Sequence, residues 1–160
     1  MEKEPLLEFI LKAHQHTYAA PKDIKRIHKY ETPILPGHKD YHYTDKDWAY
    51  HDSYAGKTWA PGREVVFFRN KPIWCMSYQG RHDPTIPDTT YQEIIFPFLQ
   101  KALRKTPPEL PFRGPAHFEE GNLTYTFEIQ GDYSYFTGKE KIIYKGITIF
   151  FQDIMGELIQ

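Results

Sequence analysis

Two stretches of the chain carry apolar residues at the spacing of an α-helix. The first predicts an amphipathic helix from Pro5 to about His14, with an apolar stripe of Leu6, Phe9, Ile10 and Ala13. The second begins at Thr89 or Thr90 and continues to about Lys105, with a buried face of Ile94, Ile95, Phe98, Leu99, Ala102 and Leu103. Pro97 interrupts this pattern, so we expect a kink or a restart of the helix there.

Each predicted helix is followed by segments in which large apolar and polar residues alternate, as they do in half-buried strands. After the first helix, the segments are 40–45, 48–54, 64–68 and 72–78. After the second, they are near 122–130, 133–137, 139–144 and 147–153. Gly and Pro residues punctuate the connections, which is typical of antiparallel meanders with short turns. Each half of the chain is therefore predicted to be a helix followed by about four antiparallel strands.

The two halves also share residues at matching positions. The segment 43–80 and the segment 118–156 align with one inserted residue, and Tyr50, Gly56, Gly62, Glu64, Ile73 and Gly80 reappear as Tyr125, Gly131, Gly138, Glu140, Ile149 and Gly156. A glycine repeated at one place in each copy marks a repeated turn or bulge, because glycine accepts backbone angles that other residues avoid. The alignment predicts an internal repeat within a single domain spanning residues 1–160.

Together these patterns predict an α+β fold. We expect two duplicated helix-plus-antiparallel-meander units, packed as one pseudo-twofold domain with helices against one face of the strands. Whether the two meanders form one sheet or two facing sheets is left open by the sequence.

Composition narrows the possible functions. Twenty Lys and Arg residues balance twenty-one Asp and Glu residues, so the chain lacks the basic excess typical of nucleic-acid binders. Cys75 is the only cysteine, which excludes an internal disulfide and a cysteine-based zinc site. The first residues lack a signal-peptide pattern, and no apolar run approaches the length of a membrane span. We therefore expect a cytoplasmic protein that binds neither nucleic acid nor membrane directly.

Several short motifs resemble a bacterial family of uncharacterised proteins, catalogued as a domain of unknown function. They are Asp52-Ser-Tyr-Ala-Gly56, Gly62-Arg-Glu-Val-Val66, the segment from Pro72 to Arg81, Pro111-Phe-Arg-Gly-Pro115, Gly131-Asp132 and Phe136-Thr-Gly138. Members occur alone or fused behind an Xre-type helix-turn-helix. The resemblance, from about Tyr41 to the C-terminus, implies a shared fold and a regulatory or sensing role, with no catalytic residues assigned. Residues 1–40 hold one good predicted helix, fewer than a helix-turn-helix module needs.

Glu64 and Glu140 occupy the same place in the two copies and form one catalytic hypothesis. Two facing carboxylates can divide acid and base roles, as in glycoside hydrolysis. The structural alternative is that each glutamate pairs with a nearby Lys or Arg, and we favour it because structural ion pairs outnumber catalytic pairs.

A crowd of His and Asp residues lies at the entry to the first meander, namely His38, Asp40, His42, Asp45, Asp47, His51 and Asp52. Imidazole and carboxylate suit zinc, iron or nickel. However, the His38–His42 spacing is helical while the segment reads as a strand. We expect a polar surface loop there and no metal or cofactor.

Arg81 ends a predicted strand and Arg113 lies in a Phe-Arg-Gly-Pro turn. A guanidinium held in a rigid aromatic turn suits recognition of carboxylate or phosphate. Aromatic walls with few polar groups are typical of ligand pockets. We therefore predict a small-molecule pocket between the halves, lined by Trp59, Trp74, Tyr78, Arg81 and Arg113.

Three function classes follow. A non-enzymatic ligand-binding or regulatory module is the leading hypothesis, so we expect no catalysis. A small hydrolase that uses Glu64 and Glu140 is the first alternative. The second is an interaction protein that forms a homodimer through an exposed aromatic strand face.

Overall fold

The computed structural model describes residues 3–160, in which two helices precede the first strands. Helix α1 (Lys3–His16) confirms the first predicted helix, and its buried residues are Leu6, Leu7, Phe9, Ile10, Ala13 and His14. Helix α2 (Lys22–Ile27) buries none of its residues fully. An isolated antiparallel bridge between Lys29 and Tyr41 attaches the segment after α2 to the edge of the sheet.

Strands β1 (His38–Asp45), β2 (Trp48–Ala55), β3 (Gly62–Phe68) and β4 (Lys71–His82) form the first meander. The second helical segment comprises α3 (Asp88–Thr90), a π-helical turn (Tyr91–Ile95) and α4 (Phe96–Leu103). Pro97 lies in the first turn of α4, where its missing N–H costs no hydrogen bond, so the expected restart is confirmed. Strands β5 (His117–Glu120), β6 (Leu123–Asp132), β7 (Tyr135–Tyr144) and β8 (Ile147–Leu158) complete the fold.

The predicted arrangement of these elements was wrong. Within residues 3–160, the strands form one antiparallel sheet in the order β1-β2-β3-β4-β8-β7-β6-β5. Strands hold 46% of the residues and helices 23%, so the molecule is mainly a sheet rather than two helix-plus-meander α+β units. The pairing of β4 with β8, from Trp74↔Leu158 to His82↔Phe150, joins the two meanders through their last strands. Because this pairing is long, no boundary separates two units.

Both helical segments cover the same face of the sheet, here called the inner face. Phe9 of α1 stacks on Trp48 of β2 at 5.2 Å, and Phe98 of α4 stacks on Phe118 of β5 at 5.5 Å. Trp74 lies at the centre of this face, fully buried, between the helices and the sheet. The other, outer face carries mainly polar side chains, and Ser77, Gln79, Lys139 and Asp153 are exposed there. Asp40 and Val65 are buried exceptions. Burial mainly on one face gives the alternation that the sequence showed.

Registers within the two meanders coincide at the aligned positions. Tyr50 pairs with Val66 and Tyr125 with Ile142. In the next pairings, β3 with β4 and β7 with β8, the register shifts immediately after Val66 and after Ile142. Gly56 and Gly131 both have positive φ, 94° and 101°. A Cβ added to Gly56 would lie 2.0 Å from a backbone oxygen, and a Cβ added to Gly131 would lie 2.2 Å from one. These coincidences support the internal repeat, which we retain as a proposal.

Candidate functional site

A cavity of about 420 Å³ opens on the inner face, between the sheet and the helical segments. Its walls are aromatic and come from both halves of the chain: Tyr18, Tyr41, Tyr54, Tyr78, Tyr91, Phe96 and Phe150. A larger groove of about 560 Å³ runs along the outer face, lined by Ser77, Gln79, Thr137 and similar side chains. We take the inner cavity as the candidate site because buried ionisable groups reach it, and such groups mark functional sites.

Asp52 is the first of these groups. It points from β2 onto the inner face, is 1% exposed, and its Oδ1 atom accepts a hydrogen bond of 2.6 Å from the Tyr78 hydroxyl. Burial raises the pKa of Asp52 to about 8, and the charge of Glu64, directly opposite on β3, acts in the same direction. Desolvation disfavours the charged carboxylate. Both effects favour the protonated form, so Asp52 presents a group to the cavity that prefers to be a carboxylic acid.

Glu64 lies beside Asp52 and pairs with α1. Its Oε2 atom is 2.6 Å from Nε2 of His14, and both side chains are buried. Within the described chain, Glu64 Oε1, His14 Nδ1 and the Tyr50 hydroxyl have no hydrogen-bond partner. A buried polar group without a partner costs about 1–3 kcal/mol. The polar atoms around Glu64 therefore have fewer hydrogen-bond partners than the polar atoms of a purely structural core.

Glu140 is satisfied in a different way. Arg113 Nε and Nη2 donate to its two oxygens at 3.1 and 3.0 Å, and the Tyr125 hydroxyl donates at 2.7 Å. Gln152 adds a fourth bond at 3.3 Å. A bidentate, charge-assisted pair of this kind is strong and fixes geometry. The negative charge of Glu140 raises the pKa of Arg113, although burial opposes this, so the guanidinium remains charged.

The structure does not bring Glu64 and Glu140 together as neighbours. Strands β4 and β8 lie between β3 and β7, which separates the two backbones laterally by about 14 Å at the usual strand spacing. Each carboxylate already has a cationic or imidazole partner. The residue that the fold places next to Glu64 is Asp52. A reaction that needs a carboxylate pair would find it there.

The five residues predicted to line a pocket are distributed over three places. Tyr78 and Arg113 line the inner cavity. Trp74 lies behind it in the core, stacked on Phe112. Arg81 is on the outer face, where its guanidinium lies 5.2 Å from the Trp59 ring. Trp59 and Arg81 therefore lie away from the predicted pocket, and Arg113 reaches it while bound to Glu140.

Four lysines surround the cavity: Lys25, Lys29, Lys39 and Lys57. Lys25 is half-buried on α2, with its Nζ atom 4.9 Å from the Tyr41 ring and 5.6 Å from the Phe96 ring. Burial lowers the pKa of Lys25 to about 8; the charges of Lys39 and Lys29 act in the same direction, and Asp52 opposes them. No salt bridge links any of the four to a carboxylate within residues 3–160.

The His and Asp crowd considered as a metal site forms local hydrogen bonds instead. His51 Nε2 is 2.8 Å from Asp40 Oδ1, and His38 Nδ1 is 3.0 Å from the Ser53 hydroxyl. In the described part of the chain, no group of three or more His, Cys, Asp or Glu residues is arranged to hold a metal ion. No helix there is long and apolar enough to cross a membrane.

The sequence did not predict how three residues take part in this site, namely His14, Lys25 and Asp52, although Asp52 belongs to the His and Asp crowd considered as a metal site. His14 continues the buried stripe of α1 one helical turn beyond Ile10, so its burial could have been expected. The position of Asp52 opposite Glu64 follows from the hairpin register once Tyr50 is paired with Val66. Lys25 gave no signal, because α2 has no buried stripe and its position depends on the tertiary bridge at Lys29.

Comparison with known proteins gives a family and no function. A family model described as Domain of unknown function (DUF5680) matches residues 52–159. No curated protein and no solved structure matches the chain. The resemblance inferred from the motifs is confirmed as far as a family of unknown function. The bacterial origin, the fusion of other members to a helix-turn-helix and the cytoplasmic location remain predictions.

Proposed function

The chain belongs to this family of unknown function, and we propose that it binds a small organic anion with an aromatic or apolar body in the inner cavity. The observation that carries the proposal is the convergence on one aromatic-walled cavity of four lysines that form no salt bridge with a carboxylate of residues 3–160. At about 420 Å³, the cavity falls within the range of small-molecule sites.

The lysines favour an anion. Lys39 Nζ has one hydrogen bond, to the Gly56 carbonyl oxygen at 3.3 Å, and the others line the cavity without a carboxylate. Several positive charges around one opening repel each other and raise the local concentration of anions. Burial is the main cause of the lowered pKa of Lys39, and the repulsion from the neighbouring lysines contributes to it. An anionic ligand would relieve this repulsion.

The interior of the cavity favours a ligand body with few charges. Its walls are mostly tyrosine and phenylalanine rings, and Arg113, the charged group at its base, is already bound to Glu140. Asp52 in its protonated form, which burial favours, can donate one hydrogen bond. A neutral acceptor, such as a carbonyl or ring nitrogen, is the matching group for a carboxylic acid.

Two dyes with one ring skeleton test the proposal. Anilinonaphthalene sulfonate is anionic and phenylnaphthylamine is neutral, and both become fluorescent in apolar sites. We expect the anionic dye to bind the wild type at least about tenfold more tightly at low salt, because the lysines attract the sulfonate.

The variant Lys29→Gln/Lys39→Gln should lose most of this preference. The control Lys71→Gln, at the exposed first residue of β4, should keep it. Equal binding of both dyes, or equal effects of the two variants, would contradict the proposal.

The two alternatives have less support. A glutamate-pair hydrolase needs Glu64 and Glu140 to act together, and each is held by a different partner. A homodimer through an aromatic strand face remains a prediction, to be checked by light scattering of the purified protein.

A further inference from the structure

The inner cavity contains an amine and a carboxylic acid that no ion pair neutralises. Lys25 and Asp52 both line it, and no salt bridge joins them or links Lys25 to any other carboxylate in residues 3–160. The ring of Tyr41 lies 4.9 Å from Lys25 Nζ, and Tyr41 is the cross-strand partner of Asp52, so the amine and the carboxyl group face the same part of the cavity. A lysine of this kind has no structural role as a salt-bridge partner.

We propose that Lys25 forms a Schiff base with an anionic aldehyde or ketone bound in the inner cavity, and that Asp52 is the acid that assists loss of water. This inference rests on the proposed function, because the anionic part of the substrate would be held by the surrounding lysines. It adds a covalent step and names the reactive group of the ligand as a carbonyl.

The position of Lys25 suits a nucleophile. Its Nζ atom lies between the rings of Tyr41 and Phe96, at 4.9 and 5.6 Å from their centroids. These rings remove water from the amine while leaving its end open to the cavity. Burial in an apolar site beside other cations is a recognised way to activate a lysine, because only the neutral amine can attack a carbonyl.

Lys25 and Asp52 together supply every proton that the step needs. Neutral Lys25 adds to the carbonyl carbon, and the resulting carbinolamine carries one N–H and one hydroxyl. The C–O bond then breaks as Asp52 gives its proton to the departing hydroxyl, which leaves as water. The products are a protonated imine on Lys25 and a carboxylate on Asp52. Two neutral groups thereby become an ion pair, and the positive imine stabilises the negative charge that burial alone disfavours.

Tyr78 has a positioning role in this step. Its hydroxyl donates to Oδ1 of Asp52 at 2.6 Å, which leaves Oδ2 as the oxygen that carries the transferable proton. This hydrogen bond also favours the carboxylate that forms as water leaves. Glu64, on the neighbouring strand, keeps the acid protonated before the reaction.

Pyridoxal phosphate is a suitable probe, because it is aromatic, anionic and an aldehyde. The full-length protein is incubated with it, reduced with borohydride, and digested for mass spectrometry to identify the modified lysines. With a pKa of about 8, Lys25 has roughly 100-fold more neutral amine near neutral pH than an ordinary lysine. We expect it to be modified at least about tenfold faster than Lys71, an exposed lysine outside the cavity.

Two variants and one analogue separate this inference from simple binding. Lys25→Arg keeps the positive charge and should abolish the cavity adduct, while Asp52→Asn should slow its formation at least about tenfold. Deoxypyridoxine phosphate has no aldehyde and should bind wild type and Asp52→Asn alike.

The outcomes distinguish the two proposals. If the analogue binds but Lys25 is modified no faster than Lys71, the Schiff-base inference is overturned while anion binding stands. If Lys25 is modified rapidly and Asp52→Asn has no effect on the rate, the role of Asp52 is overturned. If neither pyridoxal phosphate nor its analogue binds and Lys25 is unmodified, the Schiff-base inference is wrong. The dye experiment then tests the proposed anion binding separately.

Discussion

Breaking the buried pair formed by Arg113 and Glu140 should strongly destabilise the protein, and Arg113→Met tests this. Glu140 is fully buried and receives four hydrogen bonds, two of them from the guanidinium. Methionine keeps much of the aliphatic length and removes the charge. The carboxylate would then remain buried with donors only from Tyr125 and Gln152.

The expected cost follows from the desolvation of an unpaired charge. Removing one partner of a buried ion pair typically costs about 3–5 kcal/mol. For a chain of this size, each kcal/mol corresponds to about 2–4 °C in Tm, so we expect a fall of about 6–20 °C. Urea denaturation followed by tryptophan fluorescence gives the free energy of unfolding directly. The double variant Arg113→Met/Glu140→Gln should recover part of the loss, because it leaves no buried charge unpaired.

Arg81→Met is the matched control. Arg81 is exposed on the outer face and contacts Trp59 and Phe151 through cation–π geometry. Exposed contacts of this kind are worth about 0.5–1 kcal/mol. If Arg113→Met costs less than about 1 kcal/mol, or no more than Arg81→Met, the pair does not stabilise the core and the reasoning is refuted.

Three further predictions concern the surroundings of the cavity. Because the pKa of Asp52 is raised to about 8, the folded state keeps a proton that the unfolded state loses above about pH 4. The free energy of unfolding of the wild type should therefore fall, relative to that of Asp52→Asn, by about 1 kcal/mol per pH unit up to about pH 8. A difference between the two proteins that does not change with pH would contradict this. Tyr125→Phe removes a hydroxyl bonded to Glu140 and should cost about 1–3 kcal/mol in urea unfolding, whereas Tyr50→Phe removes one without a partner in residues 3–160 and should cost less than about 0.5 kcal/mol. Gly56→Ala should lower Tm more than Gly37→Ala. Both glycines have positive φ, but only at Gly56 would the added Cβ lie 2.0 Å from a backbone oxygen of residues 3–160. Equal losses of Tm would show that the positive φ alone determines the cost.

The sequence predicted elements better than it predicted their assembly. The apolar stripe of α1 and the alternation in β2 depend on neighbouring residues only, so both predicted helices and most predicted strands are present. Strand β5 was not predicted, and the predicted strands 133–137 and 139–144 form the single strand β7. The pairing of β4 with β8 joins residues about 80 apart, and alternation is the same whichever strand lies alongside. The error in fold class arose because the patterns within each meander do not say whether its last strand is an edge.

The same limit applies to the candidate site. Tyr78 was identified because it lies on an aromatic strand, and Arg113 because its turn is unusual. Trp59 and Arg81 were grouped with them by residue type, although Arg81 is three residues from Tyr78 on β4 and so points to the other face. Lys25 depends on a contact between α2 and the sheet that no local pattern encodes.

The aligned positions of the two meanders carry residues of different chemistry. This difference explains why we propose the reaction for the first meander and not for the second. Asp52 lies opposite Glu64, while the register-equivalent residue opposite Glu140 is Phe127. The second meander therefore surrounds its glutamate with Arg113 and neutral donors, which pair its charge. The first places a second acid beside its glutamate, which raises a pKa at a cost in stability. A core gains nothing from such an arrangement, but a cavity that must hold a proton for a bound ligand requires it.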